Sequence, residues 1–283
     1  MNVQELSDIS PWEWPEEAGT LILGTLTDRK ASEKDRLVAS ELAGDTVVLN
    51  EKLADALLNI VTFGEESIEL RSRAAICLGP GLEEAWLGEY DDPEDLPALS
   101  ESFVRKIQRT FYDLYSDTGA PIDVRRAVLE SSVRHPQDWH TDAVRLAYGS
   151  NDISWRVTAI FCMRFVKGFE TEILAALKSP DPNIHRNAVE AAGNWELDAA
   201  WPHISDLVTS KKTEKSLLLA AIEAAASIRP AETEIIESLV DSYDEDISEA
   251  ATEALAEAGL ATDWELENEE DEEDEEDDGD EIE

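Results

Sequence analysis

Ser179-Pro180-Asp181-Pro182-Asn183-Ile184-His185-Arg186-Asn187-Ala188-Val189-Glu190-Ala191-Ala192-Gly193 is the stretch that decides the fold. Pro180-Asp181-Pro182 reads as a proline-bearing turn that leads into a helix. From the apolar anchor Ile184, small residues fall four and seven positions on, at Ala188 and Ala191. Those spacings share one helix face, and small side chains there let a neighbouring helix come close. Glu190 falls on the presumed solvent side. Upstream, residues 172–178 form a second amphipathic stretch, so the segment predicts helix A, a proline-bearing turn and helix B.

The same template recurs along the chain. It appears as Leu70, Ala74 and Cys77; as Trp155, Ala159 and Cys162; as Leu217, Ala221 and Ala224; and as Ile247, Ala251 and Ala254. Weaker copies start at Asp35 and Val124. The anchors at 35, 70, 124, 155, 184, 217 and 247 are separated by 35, 54, 31, 29, 33 and 30 residues. A period near thirty with two helices per unit predicts an all-α fold, an α-solenoid of about seven helix pairs over residues 1–262. The long gap is explained either by an acidic loop insertion at 89–99 or by a degenerate extra repeat.

The Pro-Asp turn leading into an apolar-Arg-x-x-Ala helix that ends in small residues and Gly resembles the HEAT repeat, including its phycobilisome-lyase-type short form. The resemblance covers roughly residues 12 to 260. Arginine directly follows the anchor at Arg71, Arg125 and Arg156, shifts one place to Arg186, and is missing from the last two repeats. In such folds an arginine at the start of helix B commonly meets the aspartate of a neighbouring turn, which implies a ladder with Asp123, Asp152 and Asp181. The resemblance also implies scaffolds and adaptors more often than enzymes. Of the enzymatic branches, the diiron deoxyhypusine hydroxylases need His-Glu dipeptides, which the sequence lacks, and the DNA glycosylases need a basic groove. The expected function is therefore a non-enzymatic scaffold or adaptor for protein partners. The alternative is a bilin-lyase-like enzyme or enzyme subunit of the same repeat class.

Charge supports protein rather than nucleic-acid partners. The 283 residues carry a formal net charge of −42, and nucleic-acid affinity comes largely from Lys and Arg neutralising phosphates. Residues 101–190 are balanced, holding 12 of the 23 basic side chains, while both flanks are strongly acidic. Such surfaces either favour basic partners or are an adaptation that keeps a protein soluble in a salty cytoplasm. Of residues 263–283, 16 are acidic, and a segment of that composition cannot bury enough apolar surface to order itself. It is expected to be a disordered tail that engages basic partners or masks the basic middle. No uncharged apolar run is long enough for a membrane span, and Glu5, Asp8 and Glu13 stand where a signal peptide would be basic, so the expected setting is cytoplasmic.

Candidate chemistry is sparse. Cys77 and Cys162 are the only cysteines, which excludes a disulfide framework and points to buried, reduced thiols. His135, His140, His185 and His203 fall on separate elements and read as solvated loop residues, with no metal-ligand spacing among them. Neither a glycine-rich phosphate loop nor a nucleophile elbow is present, so no catalytic residue, cofactor or metal is expected. Eight tryptophans are many for this length, and Trp and Arg are frequent binding hot spots. Trp155 occupies an anchor and reads as core. Arg126, Arg164 and Trp201 are the expected partner contacts.

Overall fold

A computed structural model describes residues 1–88 and 98–259. The acidic tail at 263–283, with Trp264, and nearly all of the acidic loop lie outside the described residues. Those residues contain helices and no strand. A short leading helix, α1 (Val3–Ser7), precedes seven helix pairs. These are α2 (Ala18–Thr27) with α3 (Glu33–Ala43), and α4 (Glu51–Thr62) with α5 (Ile68–Ile76). After a single intervening helix, α6 (Gly79–Leu87), come α7 (Glu101–Ser116) with α8 (Ile122–Ser132) and α9 (Asp138–Tyr148) with α10 (Ile153–Cys162). Then follow α11 (Glu170–Ala176) with α12 (Pro182–Asn194), α13 (Trp201–Thr209) with α14 (Lys215–Ile228), and α15 (Glu234–Glu237) with α16 (245–259). Each of the seven anchors falls at the start of the second helix of a pair. The long gap between anchors 70 and 124 contains α6 and the acidic segment.

Side-chain caps open the second helices of several pairs. Asp181 accepts hydrogen bonds from the amides of Asn183 and Ile184 at 3.0 and 3.1 Å, with Pro182 opening α12. Ser32 and Ser67 cap α3 and α5 in the same way, each at 3.1 Å. Such caps satisfy amides that the first helical turn leaves without partners.

Small-residue positions are where helix B stacks on helix B. Ala39, Ala74, Ala159, Ala188, Ala191, Ala221 and Ala251 are all fully buried, and α3 packs on α5, α5 on α8, and α12 on α14. The tightest approach is at Gly193, where a Cβ would sit 2.7 Å from the Cα and 2.9 Å from the Cβ of Ala224. Only hydrogen fits there. Contacts divide the chain into two compact units, Met1–Thr158 and the remainder from Ala159.

The arginines that follow the anchors do not form the expected ladder with turn aspartates. Arg36, Arg71 and Arg125 each donate Nε to a carbonyl ten residues back, on Leu26 (3.3 Å), Val61 (2.9 Å) and Tyr115 (2.8 Å). Those carbonyls end helix A of the same repeat, where the helix leaves acceptors unbonded and its dipole is negative, so a guanidinium satisfies both. The aspartates meanwhile serve their own turns: Asp152 accepts from the amide of Ser154 at 2.9 Å.

Candidate functional site

In the unit from Ala159 onward, the helix-B faces of α12, α14 and α16 enclose a cavity of about 260 Å3. Gly193, Ala220, Ala224, Ala250 and Ala254 form its small-residue floor, and Arg164, Glu190, Glu223, Glu253 and Glu257 rise around it. The floor follows from the stacking pattern, because helices that touch through Gly and Ala leave a shallow trough between their larger side chains. The walls follow from a second periodicity: a glutamate lies six residues after the anchor at Glu41, Glu130, Glu190, Glu223 and Glu253.

What differs along this row is the neutralising partner. Glu41 pairs with Arg73 at 2.5 Å. Glu130 accepts from the Thr158 hydroxyl and lies 3.7 Å from Arg126. Glu190 bridges two guanidinium groups, Arg164 at 2.9 Å and Arg186 at 2.7 Å. Glu223 and Glu253 have no ion pair among the described residues, since α14 and α16 lack the helix-B arginines of earlier repeats. Desolvation by surrounding protein raises the Glu223 carboxyl above the ordinary value, with repulsion from Glu190, Glu257 and Glu253 opposing the pull of Arg164. The Glu223 side chain nevertheless remains exposed to solvent at the rim of the cleft, so the shift marks crowded negative charge there and not a sealed carboxyl.

The three expected contact residues are not brought together. Arg164 lines the cleft: besides its pair with Glu190 it stands 5.8 and 5.7 Å above the Phe161 and Phe165 rings, and its buried Nε has no hydrogen-bond partner among the described residues. Arg126 belongs to the unit Met1–Thr158. There it lines a separate groove of about 610 Å3 with Glu69, Ser72, Arg73 and Glu130, and donates Nε to Thr158 at 3.1 Å. Trp201 is covered from within the chain by Arg229, 5.1 Å over its ring, which in turn pairs with Asp198 and Glu232 at 2.8 Å each.

One histidine is buried and the other three, His135, His185 and His203, are half-buried. His140 is fully buried: its Nδ1 accepts from the Gln137 amide at 2.8 Å and its Nε2 lies 3.0 Å from Ser132 Oγ. Burial pushes its pKa down to about 4. His185 and His203 meet Nε2 to Nε2 at 2.7 Å between α12 and α13, and burial lowers both. No group of three metal-ligating side chains occurs among the described residues. Both cysteines are buried and neither is in a disulfide; burial raises Cys77 to about 12, which keeps it a thiol. Trp155 is half-buried, so its anchor position does not make it core.

No family model matches the chain, and no curated protein is similar to it in sequence. Solved structures resemble it at low identity. Human deoxyhypusine hydroxylase is 15% identical with a TM-score of 0.41, over 91% of this chain and 97% of that one. The complex of CpcE and CpcF of phycocyanin lyase from a Nostoc species is 18% identical with a TM-score of 0.44, over 89% and 98%. Kap95p, in a structure with RanGDP, is 13% identical with a TM-score of 0.42, over 90% of this chain and 43% of that one. The likeness is one of helical-repeat fold. It corrects the expectation of a non-enzymatic scaffold, because an enzyme and the subunits of a lyase stand among these neighbours and the fold does not separate binding from catalysis. Among the described residues no helix is long and apolar enough to cross a membrane.

Proposed function

We propose that the chain is an enzyme or enzyme subunit of the HEAT-like class that holds a basic segment of a protein partner in the cleft of α12, α14 and α16. The observation that carries this is the unpaired end of the glutamate row. Four carboxylates surround a cavity whose single arginine is already neutralised by Glu190. A cationic side chain entering the cleft would replace the missing repeat arginines and relieve the repulsion on Glu223. In that pose Glu223 is the ionised carboxylate facing the incoming cation, and Arg164 with Glu190 fixes the wall beside it. A cytoplasmic setting belongs to this reading.

The test is a calorimetric titration of the full chain with a Lys/Arg-rich peptide. Replacing Glu253 and Glu257 by Gln should weaken binding at least tenfold. Removing the same charge from exposed sites outside the cleft, with Glu170→Gln and Glu237→Gln, should change it little. Equal loss from both pairs would reduce the effect to overall charge and remove the cleft from the account.

A further inference from the structure

A second cavity lies in the unit Met1–Thr158, independent of the cleft. It has a volume of about 260 Å3 and is walled by Tyr115, Leu146, Ala147 and Trp155, with Arg125 as its one charged side chain. Its origin is the repeat itself. Tyr115 lies at the end of helix A of the third pair, and Arg125, at the start of helix B, caps that helix A through the Tyr115 carbonyl. Trp155 is the next repeat's anchor, and Leu146 is 72% exposed at the rim. The guanidinium carbon of Arg125 stands 5.5 Å from the Tyr115 ring and 5.8 Å from the Trp155 ring. Tyr112 and Trp139 extend the aromatic cluster behind it, with ring centroids 5.4 Å apart.

The first repeat shows what this arginine position does with the rest of its guanidinium. Arg36, like Arg125, caps helix A of its own pair. Its Nη1 and Nη2 then grip both carboxylate oxygens of Glu66, at 2.7 and 2.9 Å. Glu66 stands four residues before the next anchor, Leu70; four residues before the anchor Trp155 the chain has Asn151. Arg125 therefore makes the same carbonyl contact, but its Nη atoms have no hydrogen-bond or ion-pair partner among the described residues, and they adjoin an aromatic-walled cavity. Planar two-point recognition of carboxylate is the interaction guanidinium groups make best.

The geometry points to a binding site for a small aromatic carboxylate, its acid group on the Nη fork of Arg125 and its ring between Trp155, Tyr115 and Leu146. The volume lies just below the roughly 300–1,000 Å3 of drug-sized pockets, which selects a one- or two-ring ligand. The site also falls in residues 101–190, the stretch where basic and acidic side chains balance, so an anion meets less repulsion than at either flank.

The full chain, titrated with 2-naphthoate and followed by calorimetry and by the Trp155 indole resonance, should bind one equivalent saturably. 2-Naphthamide should bind at least tenfold more weakly. Arg125→Gln should reduce naphthoate binding at least tenfold. Because that variant also gives up the helix cap, Leu146→Asp serves as the second: it changes an exposed rim residue, should leave the circular dichroism and melting temperature unchanged, and should weaken naphthoate more than naphthamide. Equal affinity for acid and amide would overturn carboxylate recognition. Undiminished binding in a folded Leu146→Asp or Arg125→Gln variant, or an unmoved Trp155 resonance at saturation, would overturn the site.

Discussion

Acidification should unfold this protein partly through one histidine. His140 is fully buried with both ring nitrogens committed. Nδ1 accepts from the Gln137 amide, so Nε2 carries the proton and donates to Ser132 Oγ, which itself donates to the Leu129 carbonyl at 3.3 Å. A proton on Nδ1 would set two donors against each other, and burial opposes the charge. The ring thus titrates near 4 when folded, against 6.5 for an ordinary histidine. Above pH 6.5 it is neutral in both states and contributes no pH dependence. As pH falls from 6.5 toward 4 the unfolded chain takes up the proton and the folded chain does not, so stability is lost across that window. One pH unit in that gap is worth about 1.4 kcal/mol, giving about 2 kcal/mol lost by pH 5 and about 3 kcal/mol by pH 4. His135, His185 and His203 shift in the same direction, and carboxylates begin to titrate below pH 5, so the assay must isolate this ring. Denaturant unfolding of wild type and His140→Gln at pH 7 and pH 5 does so. The variant should start less stable but lose about 2 kcal/mol less over the interval. Parallel losses in the two proteins would refute the assignment of a buried neutral imidazole.

Three further outcomes follow from the packing. Gly193→Ala should destabilise by about 1–3 kcal/mol in thermal or chemical melts, because its new methyl group would meet the Ala224 backbone. Gly24→Ala, which meets nothing within 4 Å inside α2, should instead be neutral or raise stability by about 0.5–1 kcal/mol. Arg71→Met should cost about 1.5–3 kcal/mol in denaturant midpoint analysis, since it leaves the Val61 carbonyl at the end of α4 without its charged donor. Elemental analysis of tag-free protein should find no stoichiometric transition metal: the His185–His203 pair has no third ligand grouped with it among the described residues, and two imidazoles hold such ions only weakly.

The fold was legible because its signal is periodic. Alanine at 74, 159, 188, 221 and 251 marks the stacking face without any tertiary information, and every one of these residues is buried. The Asp-Pro turn at 181–182 likewise names its own helix start. The side-chain partners were less legible because they depend on what the neighbouring repeat supplies. An arginine after the anchor can reach a turn aspartate or a helix-end carbonyl, and the carbonyl wins at Arg36, Arg71 and Arg125 because it is unbonded and ten residues away on the same pair. Glu190 reads as solvent-facing by helical phase. Its side chain is 12% exposed because Arg164 and Arg186 close over it from either side. The cleft had a sequence signal that a search for motifs passes over, namely glutamate six residues after the anchor together with loss of arginine in the last two repeats. Trp155 shows the opposite limit: it keeps the anchor register, yet its ring is too large to disappear between helices and becomes a cavity wall.

As proposed, the glutamate row ends in a carboxyl, Glu223, that has no ion pair among the described residues and takes a cation from outside. Carbon-13 NMR titration of the Glu223 side chain in the full protein, alone and saturated with a Lys/Arg-rich peptide, tests it most directly. The midpoint should lie above the ordinary 4.5 in the free protein and fall when the peptide binds, because a nearby cation favours the carboxylate. A Glu223 carboxyl that titrates as an ordinary exposed glutamate, or one whose midpoint is unmoved by bound peptide, would contradict it.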